Sequence, residues 1–272
     1  MLLLDLGNSR IKWARVRGGR LEAVRSVPRK AGLAGFWTQV SPPGGEAPAR
    51  VVAVSVLDAA TNRALAQAAA SRWGVTVEFC SAHAQGWGVR NAYSLPWRLG
   101  ADRWAALVAA RQRWPGEAVA IIDCGTAVTL DVLDETGRHR GGLILPGLEM
   151  IRGALAGGTA ALADLAAEEA GQENRAVTDS APVFRLASDT ATAVEEGCFQ
   201  ALVGSVERLA RLARAALGST PRLVLSGGAG AAVLPWLEGT FQYRPDLVLE
   251  GVLVMAGEAS GERREKNRGE TP

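Results

Sequence analysis

The chain has 272 residues, of which 48% are hydrophobic, and a formal net charge of +2. This length fits one large domain or two of ordinary size, and the hydrophobic fraction is ample for a packed core. The small net charge argues against a nucleic-acid binder, which usually carries a strong basic stripe. No apolar run is long enough for a transmembrane helix, and the N-terminus lacks the basic region of a signal peptide. The composition predicts a soluble, cytoplasmic protein that binds neither nucleic acid nor membrane.

Cysteine and histidine usage narrows the possible chemistry. The cysteines, Cys80, Cys124 and Cys198, show no CxxC spacing, and the only histidines are His83 and His139. Neither a disulfide framework nor a zinc site is expected from this pattern. Acid–base chemistry would therefore depend on carboxylates.

In the first half of the chain, apolar runs bounded by turn residues alternate with Ala-rich helical segments. Strands are predicted at 2–6, 11–16, 21–27, 50–56 and 75–80, and helices at 33–40, 59–73 and 101–113. The stretch 81–99 is polar and irregular, as binding loops often are. Pro115-Gly116 marks the end of a predicted N-terminal domain, 1–116.

The second half repeats this order of elements. Strands are predicted at 119–122, 128–133, 142–145 and 222–225, helices at 148–155, 190–217 (one or two) and 233–237, a strand or short helix at 247–254, and an Ala-rich, partly acidic segment at 160–170. Residues 117–258 form the predicted second domain. Residues 259–272 are predicted to be a disordered tail.

A strand–Asp-x-Gly–strand unit occurs twice, once in each half. Asp5-Leu6-Gly7 follows the first apolar run, and Asp123-Cys124-Gly125 follows the run at 119–122. Gly19-Arg20 and Gly137-Arg138 are separated by the same number of residues as these two motifs. Asp-x-Gly alone is common in hairpins, where the Asp only caps the turn. Two copies in the same context instead predict two similar half-molecules that hold one nucleotide between them.

The chemistry of the two turns fits phosphate. Glycine permits a tight turn, and backbone amides with the small side chains of Asn8, Ser9 and Thr126 form an anion-binding concavity. The two Asp residues would hold Mg²⁺ or another cation that accompanies the phosphates. Lys12 could reach a phosphate as a point charge. Neither a Walker loop nor a Gly-x-Gly-x-x-Gly fingerprint is present, so the site is of another design.

A second candidate site lies around the start of the helix predicted at 101–113. Asp102 and Arg103 fall in its first turn, and Tyr93 precedes it. Asp102 could simply favour the helix dipole, and Arg103 could form a surface ion pair of little value. Alternatively, Asp102 is a general base for a substrate hydroxyl and Arg103 binds an anionic group of that substrate.

A further turn, Ser226-Gly227-Gly228, follows the predicted strand at 222–225. It could pack against the adenosine of a nucleotide, or it could be no more than a flexible connection between a strand and a helix.

Four motifs in this order resemble those of type III pantothenate kinase, a family that includes Bvg accessory factor proteins. The resemblance covers about residues 1–255. The motifs are Asp5-Leu6-Gly7-Asn8-Ser9, Gly100-Ala101-Asp102-Arg103-Trp104, Asp123-Cys124-Gly125-Thr126-Ala127-Val128-Thr129 and Gly141-Gly142-Leu143-Ile144-Leu145-Pro146-Gly147.

This resemblance implies phosphorylation of pantothenate by ATP, the first step of coenzyme A biosynthesis. It implies an α/β fold of two ribonuclease-H-like (actin-like ATPase) domains related by internal duplication, with the nucleotide in the cleft between them. It also implies a homodimer that uses Mg²⁺ and a monovalent cation, K⁺ or NH₄⁺.

The family's functional residues are carried over position by position. Asp102 matches the catalytic base and Asp123 the ligand of the monovalent cation. The positions that match pantothenate-binding residues are Tyr93, Gly100, Ala101, Asp102, Arg103 and Thr190. Those that match ATP-binding residues are Asp5, Leu6, Gly7, Asn8, Ser9, Arg10, Ile11, Lys12 and Thr126.

Two departures and two rival functions remain open. Asp189 stands where the family often has Asn, and Ser226 where Thr often precedes Gly-Gly. The protein could instead be a kinase of the same superfamily that acts on another hydroxyl or carboxylate acceptor. It could also be a non-catalytic nucleotide-binding regulator, although every carboxylate of the motifs is intact.

Overall fold

The computed structural model describes residues 1–40, 46–158 and 186–266. Contacts along the chain divide it into two compact units. Unit 1 comprises Met1–Glu117, Leu133–Gly141 and Asp246–Pro272, and unit 2 comprises Ala118–Val132 and Gly142–Pro245. The sequence predicted a single boundary between residues 116 and 117. Unit 1 also includes two later segments of the chain.

The regular elements follow one another as strands β1 (Leu2–Leu6), β2 (Arg10–Arg17), β3 (Arg20–Leu21), β4 (Arg25–Pro28), helix α1 (Gly32–Val40), β5 (Val51–Ser55), α2 (Ala59–Trp73), β6 (Val77–Phe79), β7 (Gln85–Gly86), β8 (Val89–Arg90), α3 (Ala101–Arg113), β9 (Val119–Cys124), β10 (Ala127–Leu133), β11 (His139–Pro146), α4 (Leu148–Gly158), α5 (Thr190–Leu217), β12 (Arg222–Ser226), α6 (Gly230–Val233), β13 (Phe241–Tyr243) and α7 (Leu247–Lys266). Short 3-10 turns lie at Arg29–Ala31, Pro96–Arg98 and Leu234–Trp236. None of the helices in this described part is long and apolar enough to cross a membrane.

The two main sheets share one strand order. The first runs β3-β2-β1-β5-β6, with β4 also paired to β2, and the second runs β11-β10-β9-β12-β13. In the first, β1 is antiparallel to β2 and parallel to β5; in the second, β9 is parallel to β12. Each sheet thus has its first strand at the centre, with the following strands on one side and parallel strands on the other. This is the ribonuclease-H-like arrangement, and it confirms the predicted α/β fold and internal duplication.

The central strands are buried because their residues are apolar on both faces. Leu2, Leu3 and Leu4 in β1 are at most 1% exposed, and the run 119–122 in β9 is at most 2% exposed. A strand covered on both faces needs this continuous pattern rather than an alternating one.

Aromatic packing in unit 1 explains several of the eight tryptophans. Trp13, Phe36, Trp37 and Trp73 form consecutive edge-to-face contacts with centroid distances of 5.4, 4.9 and 5.1 Å. Such pairs contribute about 0.5–1.5 kcal/mol each beyond the area they bury. These tryptophans are therefore core residues, which the sequence alone did not reveal.

Some predicted boundaries are correct and others shift. Helices α2 and α3 have the predicted limits, and α2 begins after Asp58, whose side chain accepts a hydrogen bond from Thr61 N. The predicted strand at 21–27 is two strands, β3 and β4, and the stretch 81–99 contains the β7–β8 hairpin. Residues 190–217 form one helix, α5. The segment predicted at 160–170 lies outside the described residues.

The C-terminal segment differs most from the prediction. A strand or short helix was expected at 247–254 and disorder from 259, but α7 continues to Lys266; residues 267–272 lie outside the described range. Leu247, Leu249 and Val252 are buried, and a Cβ on Gly251 would lie 1.9 Å from Ala105 O on α3. This close packing on α3 accords with the grouping of the helix in unit 1.

Candidate active site

The turn after β1 is a tight loop held by backbone hydrogen bonds. Gly7 N donates to Arg10 O at 3.1 Å, and Arg29 N donates to Ser9 O at 2.8 Å. Asn8, Ser9 and Arg10 are exposed, whereas Leu6 and Ile11 are buried. The predicted phosphate-binding residues therefore include an exposed turn, Asn8 to Arg10, flanked by half-buried residues and by two buried ones, Leu6 and Ile11.

Charged side chains flank this turn. Asp5 and Lys12 are directly opposite each other in the β1–β2 register, and both are half-buried. The guanidinium of Arg10 donates to Ser26 Oγ on β4 at 2.6 and 3.1 Å. Asp5 and Lys12 carry opposite charges, and cross-strand pairs of opposite charge stabilise a sheet.

The turn after β9 has the same position in unit 2. Asp123 is the penultimate residue of β9, as Asp5 is of β1. Gly125 N donates to Ala127 O at 3.2 Å, and Gly125 and Thr126 are exposed. Asp123 lies opposite Ser226 in the parallel β9–β12 register. The predicted cation ligand and ATP contact thus belong to one turn.

Two glycines approach this turn so closely that no side chain fits. A Cβ on Gly147 would lie 2.4 Å from Thr126 O and 2.5 Å from Gly125 O. Gly227 has φ +84°, and its Cβ would lie 2.4 Å from the carbonyl carbon of Cys124. The Gly-Gly turn that the sequence associated with adenosine therefore contacts the end of β9; its contact with a nucleotide stays a prediction.

Replacing Gly147 by Ala is expected to lower stability by about 1–3 kcal/mol, because backbone rather than a side chain must move. The displaced turn carries Thr126, so the KM for ATP should rise about tenfold, as a 1.4 kcal/mol loss would give. Gly153→Ala in α4 is the control, since its Cβ meets nothing within 4 Å. Kinetics and thermal melts of both variants test this; equal KM values for ATP would contradict it.

Asp102 lies in the first turn of α3, which begins after Gly100. Its Oδ1 accepts a hydrogen bond from Arg103 N at 2.7 Å, so the carboxylate also satisfies a backbone donor at the helix start. A Cβ on Gly100 would lie 2.5 Å from this same Oδ1. The carboxylate can therefore adopt this orientation only beside glycine, while Ala101 contributes a half-buried position in the same turn.

Gly100→Ala should reduce kcat by up to about 10²-fold. The added methyl forces the Asp102 carboxylate to rotate, which displaces its oxygens by about an ångström. Gly100→Ser separates this effect from helix capping. Serine is among the preferred N-cap residues, so this variant should be as stable as wild type or more so, yet equally slow. Wild-type turnover in either variant, measured with thermal melts as a folding control, would overturn this explanation.

Arg103 is buried, at 8% exposure, and its side chain is oriented by Tyr93. Arg103 Nη1 donates to Tyr93 Oη at 3.1 Å, and its Cζ lies 5.9 Å from the Tyr93 ring centroid. The Tyr93 ring in turn stacks on the fully buried ring of His139, with a centroid distance of 6.1 Å and an interplanar angle of 16°. Because Arg103 is buried, it is not the solvent-exposed ion-pair residue that was one of the two expectations.

Thr190 is far from these residues in the chain and belongs to the other unit. It is the first residue of α5, it is exposed, and it belongs to unit 2, whereas Tyr93 and Asp102 belong to unit 1. Asp189 caps the helix by accepting a hydrogen bond from Thr192 N at 2.8 Å, and this bond lowers the pKa of Asp189. The departure from Asn at position 189 thus keeps a capping residue, and substrate contact by Thr190 stays a prediction.

Metal chemistry at these sites would need few protein ligands. No cluster of three or more His, Cys, Asp or Glu side chains suited to a metal occurs among the described residues. Mg²⁺ bound with nucleotide phosphates needs only one or two carboxylates plus water, so single Asp residues fit it. Burial raises the pKa of the Cys124 thiol to about 12, so this residue is no nucleophile.

The sequence analysis did not identify two residues that contact Tyr93. The sequence analysis assigned no role to Asn91, and it considered His139 only as a metal ligand. The Asn-x-Tyr spacing is a signal for Asn91, because Asn side chains often bond the backbone two residues on. Nothing local indicates that His139 stacks on Tyr93.

The fold is duplicated, each half has an Asp-x-Gly turn, and Asp102 precedes Arg103, which contacts Tyr93. These features define a two-domain protein of the ribonuclease-H-like, actin-like ATPase class. Residues 1–212 match the family model for type III pantothenate kinase. The chain belongs to the type III pantothenate kinase family.

Individual relatives agree with this assignment. The chain is 37% identical over 270 residues to a type III pantothenate kinase from Nitrosococcus oceani, covering 97% of each. It is 38% identical over 263 residues to one from Halorhodospira halophila, covering 93% of this chain and 96% of the relative. A solved structure from Campylobacter jejuni, of a conserved protein assigned to the Baf family of transcriptional activators, shares the fold with a TM-score of 0.54 and 16% identity, covering 96% of this chain and 100% of that one.

Proposed function

We propose that the protein transfers the γ-phosphoryl group of ATP to pantothenate, the first step of coenzyme A biosynthesis. The observation that carries the proposal is the pairing, on one helical turn, of the Asp102 carboxylate with a buried Arg103 oriented by Tyr93. A base and an anion-binding group side by side suit an acceptor that has both a hydroxyl and a carboxylate. Pantothenate is such an acceptor, and the family assignment names it.

In the proposed reaction, Asp102 accepts the proton of the primary hydroxyl of pantothenate. The hydroxyl oxygen bonds to the γ-phosphorus, the bond from that phosphorus to the β–γ bridging oxygen breaks, and ADP leaves. Arg103, with Tyr93, holds the pantothenate carboxylate or a polar group beside it. Phosphoryl transfer of this kind needs positioning and charge neutralisation more than covalent help from the protein.

The residues proposed for ATP lie on the turns after β1 and β9 and on the strand residues that flank them. Backbone amides from Gly7 to Ser9 would bind phosphate oxygens, with Lys12 and Thr126 as further donors. Mg²⁺ would neutralise phosphate charge, with Asp5 as the candidate carboxylate. Asp123 would hold K⁺ or NH₄⁺. Gly125 allows this, because its missing side chain would lie 3.0 Å from Asp123 Oδ1.

We also propose that Thr190 contributes to binding pantothenate.

We further propose that the protein is a cytoplasmic homodimer. The homodimer proposal is supported by large apolar side chains on β11 and α4 of unit 2 that are exposed, namely Leu143, Ile144, Met150 and Leu155. Exposed apolar groups in this number often mark an interaction surface. Sedimentation of the purified chain would test it; a monomer at micromolar concentration would contradict it.

The decisive experiment measures ADP formation from ATP and Mg²⁺, with and without pantothenate, in K⁺ and then in Na⁺ buffer. Pantothenate-dependent ADP that falls without K⁺ is the expected result. No turnover with any acceptor, in folded protein, would favour a nucleotide-binding regulator. Turnover only with another hydroxyl or carboxylate acceptor would favour a different kinase of the superfamily.

A further inference from the structure

We propose that Asn91 is a positioning residue for the acceptor site: its side chain fixes Tyr93, and through Tyr93 it sets the direction of the Arg103 guanidinium. This inference rests on the proposed function for its kinetic consequence, though the geometry stands independently. Asn91 itself lies on the loop that follows β8 and leads into α3.

The side-chain amide and the backbone N–H of Asn91 are all hydrogen-bonded. Its Oδ1 accepts a hydrogen bond from Tyr93 N at 3.0 Å, and its Nδ2 donates to His83 O at 3.2 Å and Pro96 O at 3.3 Å. Its backbone N donates to Ala84 O at 2.9 Å. The side-chain amide thus joins the segment before β7 to the 3-10 turn that precedes α3, and it closes an Asx turn at Tyr93.

The Tyr93 side chain has little freedom once its backbone is fixed. One face of the ring stacks on His139, which is fully buried and therefore cannot move aside. The hydroxyl accepts a hydrogen bond from Arg103, whose charge polarises the phenol and makes its own O–H a stronger donor. Tyr93 and Arg103 together then present two donors in a fixed arrangement, which is the geometry that a carboxylate binds well.

Loss of the Asn91 side-chain hydrogen bonds should weaken the binding of pantothenate and leave the binding of ATP almost unchanged. Asn91→Ala removes all three side-chain hydrogen bonds, and we expect the KM for pantothenate to rise about tenfold, with little change in the KM for ATP. Asn91→Ser keeps an acceptor for Tyr93 N and should restore part of the effect. Asp58→Ala is the matched control: it removes a cap of similar kind in the same unit, so it should cost stability without changing the KM for pantothenate.

Action through Tyr93 has a signature that a merely structural role lacks. Tyr93→Phe removes the hydroxyl that orients Arg103, so adding Asn91→Ala to it should raise the KM much less than Asn91→Ala does alone. Fully additive effects, an unchanged KM in Asn91→Ala, or an equal rise in Asp58→Ala would each overturn the proposal.

A second readout does not depend on activity. The chain has only two tyrosines, Tyr93 and Tyr243, so 3-fluorotyrosine labelling gives two ¹⁹F resonances, which Tyr243→Phe assigns. The Tyr93 resonance should shift or broaden in Asn91→Ala and stay unchanged in Asp58→Ala. If wild type makes no ADP with pantothenate, the proposed function fails while this spectrum still tests the positioning role; an unchanged Tyr93 resonance in Asn91→Ala would refute that role alone.

Discussion

Asp102→Asn is expected to lower kcat by about 10²–10⁴-fold, the range for loss of a general base. Asparagine has nearly the same shape and keeps an oxygen that can accept the hydrogen bond from Arg103 N. It cannot accept the proton of the substrate hydroxyl. Steady-state kinetics with varied pantothenate and ATP would measure the effect, and both KM values should change far less than kcat.

The stability of this variant is the control for its fold. Loss of one negative charge in the first turn of α3 should cost only about 0.3–1 kcal/mol through the helix dipole. Asp102→Ala, which also loses the acceptor for Arg103 N, should be less stable and equally inactive. A folded Asp102→Asn protein with near wild-type kcat would show that the carboxylate only starts the helix.

Gly251→Ala is expected to cause the largest loss of stability, about 1–3 kcal/mol or more, because the new methyl meets backbone that cannot turn away. Its Cβ would lie 1.9 Å from Ala105 O and 2.5 Å from Ala105 C. Helix α7 would have to move off α3, which carries Asp102 near its start. Thermal or urea unfolding would measure the change, and pantothenate kinetics would show whether α3 shifts with it.

Gly257→Ala on the same helix is the matched control. A Cβ there meets nothing within 4 Å. The substitution should therefore stabilise the protein by roughly 0.5–1 kcal/mol, since glycine is a poor helix former. Similar melting temperatures for the two variants would show that α7 is not docked on α3 in solution.

The candidate site illustrates how much can be predicted from a sequence and where prediction stops. Asp5-x-Gly7, Asp123-x-Gly125 and the turn that begins α3 are local patterns, and their strand and helix contexts were predicted correctly. Strand order, by contrast, depends on which apolar runs pair. The shared order of the two sheets became visible only in the tertiary structure, although the repeated motif had already indicated the duplication.

The sequence by itself determined the elements whose causes are local. Continuous apolar runs gave the buried strands β1 and β9, and the end of α2 was signalled by Gly74, which adopts the left-handed conformation. The tertiary structure alone decided the long-range pairings. It placed His139 beneath Tyr93 and docked α7 on α3 through Gly251. Such contacts join residues far apart in the chain, so their energy depends on shape complementarity that no local pattern encodes.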